Sequence, residues 1–255
     1  MQVVPVDFAG AAGHALAGRL HLPRGTPAGW ALFAHCFTCG KDVLAAARIA
    51  RHLAAAGVAV LRFDFTGLGD SEGDFAATGF TSNVQDLVAA AAFLRSEHTA
   101  PALLIGHSLG GAAVLAAAGS IPECRAVVTI GAPSDPAHVS GLFEESVPEI
   151  LAQGEAKVRL AGRELCIRRE FLADIAAQNL SCHIAALGRP LLVMHAPEDS
   201  VVPVDEAATI LAQARQPRSF IALDGSDHLL SARADAVRAA RLIEAWSARY
   251  LAAPA

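Results

Sequence analysis

The chain has 255 residues, 53% of them hydrophobic, and a formal net charge of -5 at pH 7. That length and apolar content suffice for one sizeable core, so one α/β domain is the starting expectation. The acidic balance and the lack of any Lys or Arg run speak against nucleic acid or an anionic membrane as the main partner.

The opening stretch MQVVPVDFAG lacks the basic start and long apolar core of a secretion signal. Apolar windows such as AAVLAAAGSI are too short to span a bilayer. Five cysteines, an odd number, do not suit a secreted disulfide framework. A cytoplasmic protein is expected.

Short β-branched or apolar runs alternate with Ala/Leu-rich stretches, which predicts a mainly parallel sheet with helices on both faces. QVVPV and ALAGRLHL read as an antiparallel pair, and GWALFAHC as the third strand. The third strand runs into Cys36-Phe37-Thr38-Cys39, ahead of a helix predicted over Val43–Ala56. A Cys-x-x-Cys between strand and helix suits a redox pair, because the helix N-terminus lowers the first thiol's pKa. The leading reading is instead a turn that serves other chemistry, since nothing else in the chain looks thioredoxin-like. No second Cys/His pair stands at zinc-ligand spacing. Cys124, Cys166 and Cys182 are scattered and read as packed thiols.

VAVLRFDF is the fourth strand. The following DFTGLGDS, Asp64 to Ser71, lacks both the Lys of a P-loop and the third Gly of a dinucleotide fingerprint. It reads as a tight loop at a pocket rim. A helix over Ser82–Glu97 leads to the strand PALLIGHS and a helix over Gly110–Ser120. Between these two, Gly106-His107-Ser108-Leu109-Gly110 is a G-x-S-x-G sequence in the strand-to-helix context it requires. Glycines at its ends let strand and helix approach, and the helix N-terminus adds partial positive charge near Ser108.

AVVTIGAP is the sixth strand, after which the alternation breaks from Ser134 to Gly188. There EAKVRLAGRELCIRREFL reads as two short strands around Ala161-Gly162, and REFLADIAAQNLSCHIAAL as a helix. So long a connection is expected to be a lid or cap, the plainer reading being an insertion that packs a sheet edge. Its apolar Leu142, Phe143, Ile150 and Leu151 are candidates to line an acyl pocket, and Cys36 is a further pocket candidate. PLLVMHAP, a helix over Asp205–Ala214, RSFIALDG and a helix over Arg233–Ala252 complete eight strands.

A serine hydroxyl needs a base, and the base needs an acid to fix its tautomer. Of ten histidines, His228 follows the last strand and so falls at the same sheet edge as Ser108. His107 should point away from its neighbour, while His14, His21, His52 and His98 look solvated. His138 and His183 fall in the long connection and could line a pocket, although packing or surface roles are the leading expectation. Asp199 follows the penultimate strand, again at that edge. Glu198 is adjacent, and Asp224 and Asp227 flank the His228 loop and compete for the role. Asp227 is too close in sequence to grip the ring of His228, and Asp205 suits a helix N-cap. The order Ser108, Asp199, His228 is that of the α/β-hydrolase triad.

With HCFTC, RFDFTGLGDSEG, GHSLGG, MHAPEDSVVP and GSDHLL, the chain resembles an α/β-hydrolase over nearly its whole length. More closely, AHCFTC and FDFTGLGDSEGDF are similar to the hydrolase half of bacterial fusions that join an esterase-like domain to an OsmC-type peroxide-reductase domain. RYLAAPA lies about where that second domain, fused or separate, would start. The resemblance implies a serine hydrolase of carboxylic esters or thioesters that needs no metal or organic cofactor. It implies Ser108, Asp199 and His228 as catalytic residues and the Leu109 and Phe37 N–H groups as oxyanion donors. Cys36 stands where the family usually has Gly. It also implies that the Ser134–Gly188 connection selects substrate. A redox role for Cys36 and Cys39, a non-catalytic binding module of the same fold and a peptidase are the alternatives.

Overall fold

The computed structural model describes residues 1–160 and 162–251. Its main sheet has eight strands: β1 (Gln2–Ala9), β2 (Ala15–Leu22), β3 (Gly29–Ala34), β4 (Val58–Phe63), β5 (Leu103–His107), β6 (Ala126–Ile130), and two later strands introduced below. Each matches a run expected from sequence to within a few residues. Residues of β3, β4, β5 and β6 are buried throughout because helices cover both faces, so most are apolar and the polar Arg62, His107 and Thr129 are buried with them. Burying a leucine such as Leu32, Leu61 or Leu103 contributes about 1.5–3 kcal/mol each.

Helices α1 (Leu44–Ala55), α2 (Phe80–Glu97) and α3 (Leu109–Ala117) alternate with these strands. The second helix starts two residues before the expected Ser82. The Ser82 hydroxyl accepts from the Gly79 N–H, so Ser82 sits inside the first turn and reaches back to cap it.

Between β6 and the next sheet strand run a 3₁₀ segment (Pro136–Ser146), α4 (Val147–Gln153), the hairpin β7 (Glu155–Leu160) and β8 (Arg163–Arg168), then α5 (Arg169–Ala176) and α6 (Leu180–Ala185). The expected turn centre at Ala161 lies outside the described residues. The single helix expected over this last stretch is two, because the Asn179 side chain accepts from Cys182 N–H and starts a new helix. The chain then re-enters the sheet as β9 (Leu191–His195), followed by α7 (Asp205–Gln213), β10 (Arg218–Ala222) and α8 (Arg233–Leu251), with Ala252 outside the described residues. Asp205 is not the cap of α7; Val204 holds that position and Asp205 stands in the first turn.

The strand order is β1-β2-β4-β3-β5-β6-β9-β10, with β2 antiparallel to β1 and β4 and the other pairs parallel. One core lies between the sheet and α1 and α8, a second under α2, α3 and the β6–β9 connection. Among the described residues no helix is long and apolar enough to cross a membrane. Because the parallel strands share one direction, the loops after β3, β5, β6, β9 and β10 gather at one edge.

Candidate active site

The turn between β5 and α3 is shaped by close backbone contact. Ser108 has φ +55°, in the left-handed region that a side chain rarely adopts. A Cβ on Gly106 would stand 2.2 Å from the Gly110 carbonyl oxygen, and one on Gly110 would stand 2.3 Å from that of His35. Only glycine fits either position, so strand, helix and the end of β3 close on one another beneath Ser108.

Two loops bring their side chains to that serine. His228 Nδ1–H donates to Asp199 Oδ2 at 2.7 Å, which fixes the tautomer and leaves Nε2 to accept from the Ser108 hydroxyl at 3.0 Å. Asp199 Oδ1 accepts from the Val201 and Val202 N–H groups, both at 2.9 Å. Burial alone would raise this carboxyl. The bonds from His228, Val202 and Val201 outweigh it and hold the group below the usual carboxylate range.

Asp224 lies 3.6 Å from Arg238, Glu198 is exposed, and Asp227 accepts from Ser231 N–H to close the His228 loop. None of the three meets the His228 ring.

Phe37 and Leu109 border the cleft that opens on Ser108, with Pro133, His138, Val139, Leu142 and Val202 among its other walls. Among the described residues neither the Phe37 nor the Leu109 N–H has an acceptor. Two unpaired amides beside a hydroxyl–imidazole–carboxylate chain can bind a developing oxyanion while the imidazole removes the hydroxyl proton. The cleft encloses about 20 Å³, room for roughly one water molecule.

Of the other pocket candidates, Leu142 lines this cleft. Phe143 packs 6.5 Å from the Phe37 ring, alongside Phe171 and Phe75. Ile150 is buried in the core and Leu151 faces solvent, so neither reaches the cleft. Cys36 lines a smaller cavity of about 10 Å³ behind the turn, with Phe65 and Leu68. Cys36 and Cys39 are joined by a disulfide. Cys124 is buried, and desolvation pushes its thiol up to about 11, but Cys166 is only half-buried and Cys182 is exposed, contrary to the packed-thiol expectation. Among the described residues no three His, Cys, Asp or Glu side chains cluster as a metal site.

Several contributors carry no motif. His195, at the end of β9, is fully buried, donates to the Val202 carbonyl and stands 3.6 Å from Asp199. Gly131 has φ +55°, and a Cβ there would meet Asp199 and His228 at 3.3 Å. The only signals for these two are their places, His195 as the last residue of β9 and Gly131 as the first after β6. His138, expected to pack or face solvent, donates to the Val201 carbonyl at 3.0 Å and lines the cleft.

Lys41 is buried against Asp64, its ammonium 2.7 Å from Asp64 Oδ2 and 2.6 Å from Asp70. Burial works against its charge, but the bonds to Asp64 and Asp70 outweigh it and raise the ammonium above its ordinary value. His21, expected to be solvated, is buried and accepts from Arg62; burial beside Arg62 lowers it to about 4.

Residues 29–240 match the model of the alpha/beta hydrolase family. The chain belongs to that family. This alpha/beta hydrolase is 46% identical to the esterase domain of a Rhodothermus marinus protein, covering 98% of this chain and 100% of that one, with a TM-score of 0.80. It shares the fold of Est1E from Butyrivibrio proteoclasticus, described with ferulic acid bound, at 18% identity over 96% of this chain and 98% of that one, with a TM-score of 0.78. Among curated proteins it is 24% identical to the uncharacterized protein YfhR of Salmonella typhimurium over 68% of this chain, which spans only 55% of that protein's length.

Proposed function

We propose that this hydrolase cleaves carboxylic esters, with thioesters within the same chemistry, through an acyl-enzyme on Ser108. The observation that carries the reading is the hydrogen-bonded chain from Ser108 through His228 to Asp199 beside two unpaired amides. The likeness to the Rhodothermus marinus esterase domain supports it.

His228 takes the hydroxyl proton as Ser108 Oγ attacks the carbonyl, and Asp199 steadies the imidazolium. The Phe37 and Leu109 N–H groups hold the oxyanion. His228 then protonates the departing alcohol or thiol, and finally activates the water that releases the acid.

The 134–188 connection serves as a lid in this reading. Its support is that His138, Val139 and Leu142 form walls of a cleft too small for an ester until they move.

Replacing Ser108 with Ala is expected to lower turnover of p-nitrophenyl acetate by at least about 10³-fold and to abolish labelling by a serine-directed phosphonate. Wild-type rates in that variant would defeat the assignment.

The Cys36–Cys39 bond favours a second reading, thiol–disulfide exchange with a dithiol partner. Dithiol-dependent reduction of a small disulfide by the wild type, lost on replacing both cysteines with Ser, would establish it; no such turnover would remove it.

A further inference from the structure

Building on the esterase reading, we propose that His107 is a positioning residue for His228: its side chain holds the main chain of the base while its neighbour Ser108 meets the ring. His107 ends β5 and points away from the Ser108 hydroxyl, yet it is not a spectator. Its Nε2–H donates to the His228 carbonyl at 2.7 Å, and the two imidazoles stand 5.2 Å apart. No other donor among the described residues reaches that carbonyl.

The dipeptide His107-Ser108 therefore grips one residue 120 positions away on two sides. The rest of the His228 loop is held by its own turn, in which Leu230 and Ser231 N–H groups both bond to Asp227 and Leu230 has φ +50°. Leu230 packs into the core and Arg48 donates to the Ser231 carbonyl, but among the described residues the His107 bond is the one hydrogen bond that ties the main chain of His228 itself to the strand before Ser108.

The chemistry of the side chain suits the task. His107 is 4% exposed, and burial beside His228 lowers its imidazole to about 4. At neutral pH it has a single N–H, which the facing carbonyl places on Nε2. It can hold the base without adding a charge that would oppose protonation of His228. Glutamine offers an amide N–H at comparable reach; phenylalanine keeps the planar bulk and loses the donor.

The test compares the full chain with His107→Phe and His107→Gln. His107→Phe is expected to lower kcat on p-nitrophenyl acetate by about 10- to 100-fold with KM within about twofold, as for a base misplaced by about 1 Å. The downfield proton resonance of the His228–Asp199 bond should broaden in parallel. His107→Gln should recover most of the rate and sharpen the resonance, which a purely structural role of the ring would not do. An unchanged kcat and resonance in folded His107→Phe, or a His107→Gln variant no better, overturns the proposal. If His107→Phe fails to fold, His107→Asn, whose amide is too short to reach, takes its place. Should the wild type neither turn over esters nor take a phosphonate, the esterase reading falls, and the resonance alone decides whether His107 holds His228.

Discussion

Two turns border the Ser108 cleft with an unpaired amide, and they are held in opposite ways. The turn from Gly106 to Gly111 is set by its own backbone: three glycines lie where any Cβ would collide, and Ser108 occupies φ +55° between them. The turn from Cys36 to Asp42 has no such local code. Its Thr38, a β-branched residue at φ +58°, is an unusual choice for the left-handed region. Cross-links hold it instead: the cystine around Phe37-Thr38, and Lys41 bonded through its N–H and its ammonium to Asp64, 23 residues later. One amide is positioned by what its neighbours lack, the other by a local cystine and a distant carboxylate.

That contrast can be broken at the Gly106–Gly111 turn first. Gly110→Ala puts a methyl 2.3 Å and 2.6 Å from the carbonyl oxygens of His35 and Ala34. Backbone cannot yield as a flexible side chain would, so helix α3 must shift relative to β3. A displacement of about 1 Å at Leu109 is expected to lower kcat by about 10²-fold or more. Wild-type turnover by the folded variant would show that the close approach is dispensable.

The second turn should fail through its ion pair. Lys41→Met leaves the buried Asp64 carboxylate without its cation, which should cost about 3–5 kcal/mol in chemical denaturation. Replacing both partners, Lys41→Met with Asp64→Asn, should recover most of that loss, because the residual penalty comes from the stranded charge. A single variant within about 1 kcal/mol of wild type would mean that Lys41 does not clamp the turn.

The same contrast explains what was legible in the sequence. All eight sheet strands are readable because runs such as VAVLRF and LLIGH are mostly apolar, with Arg62 and His107 the exceptions, and give way to polar residues at Asp64 and Ser108. Ser108, Asp199 and His228 are readable because each stands just beyond a strand, and parallel strands share an edge. The single helix expected over 169–187 fails because Asn179 caps a second helix in mid-pattern, an ordinary polar residue whose role depends on where its side chain turns. Lys41 and Asp64 are individually unremarkable charges, and nothing local marks them as a buried pair. His107 is visible as a neighbour of Ser108, but its partner is a main-chain carbonyl in another loop, which no side-chain motif can signal.

The smallest expected effect comes from opening the cystine. Its loop spans four residues, so the chain entropy it removes from the unfolded state is worth only roughly 2 kcal/mol. Its consequence for turnover is more specific, because Phe37 lies inside that loop and Thr38 must hold φ +58° for the Phe37 N–H to keep its place beside the cleft. Lys41 and the aromatic contacts of Phe37 with Phe75 and Phe171 remain after reduction and limit the drift. On the proposed role of the Phe37 N–H as an oxyanion donor, which would act on the transition state and not on the bound ester, reduction by excess dithiol, verified by titrating two additional thiols, is expected to lower kcat by about tenfold and leave KM nearly unchanged. The Cys36→Ser, Cys39→Ser double variant should match the reduced enzyme and ignore dithiol. If two thiols appear and kcat stays put, Lys41 and the aromatic packing hold this turn without help from the cystine.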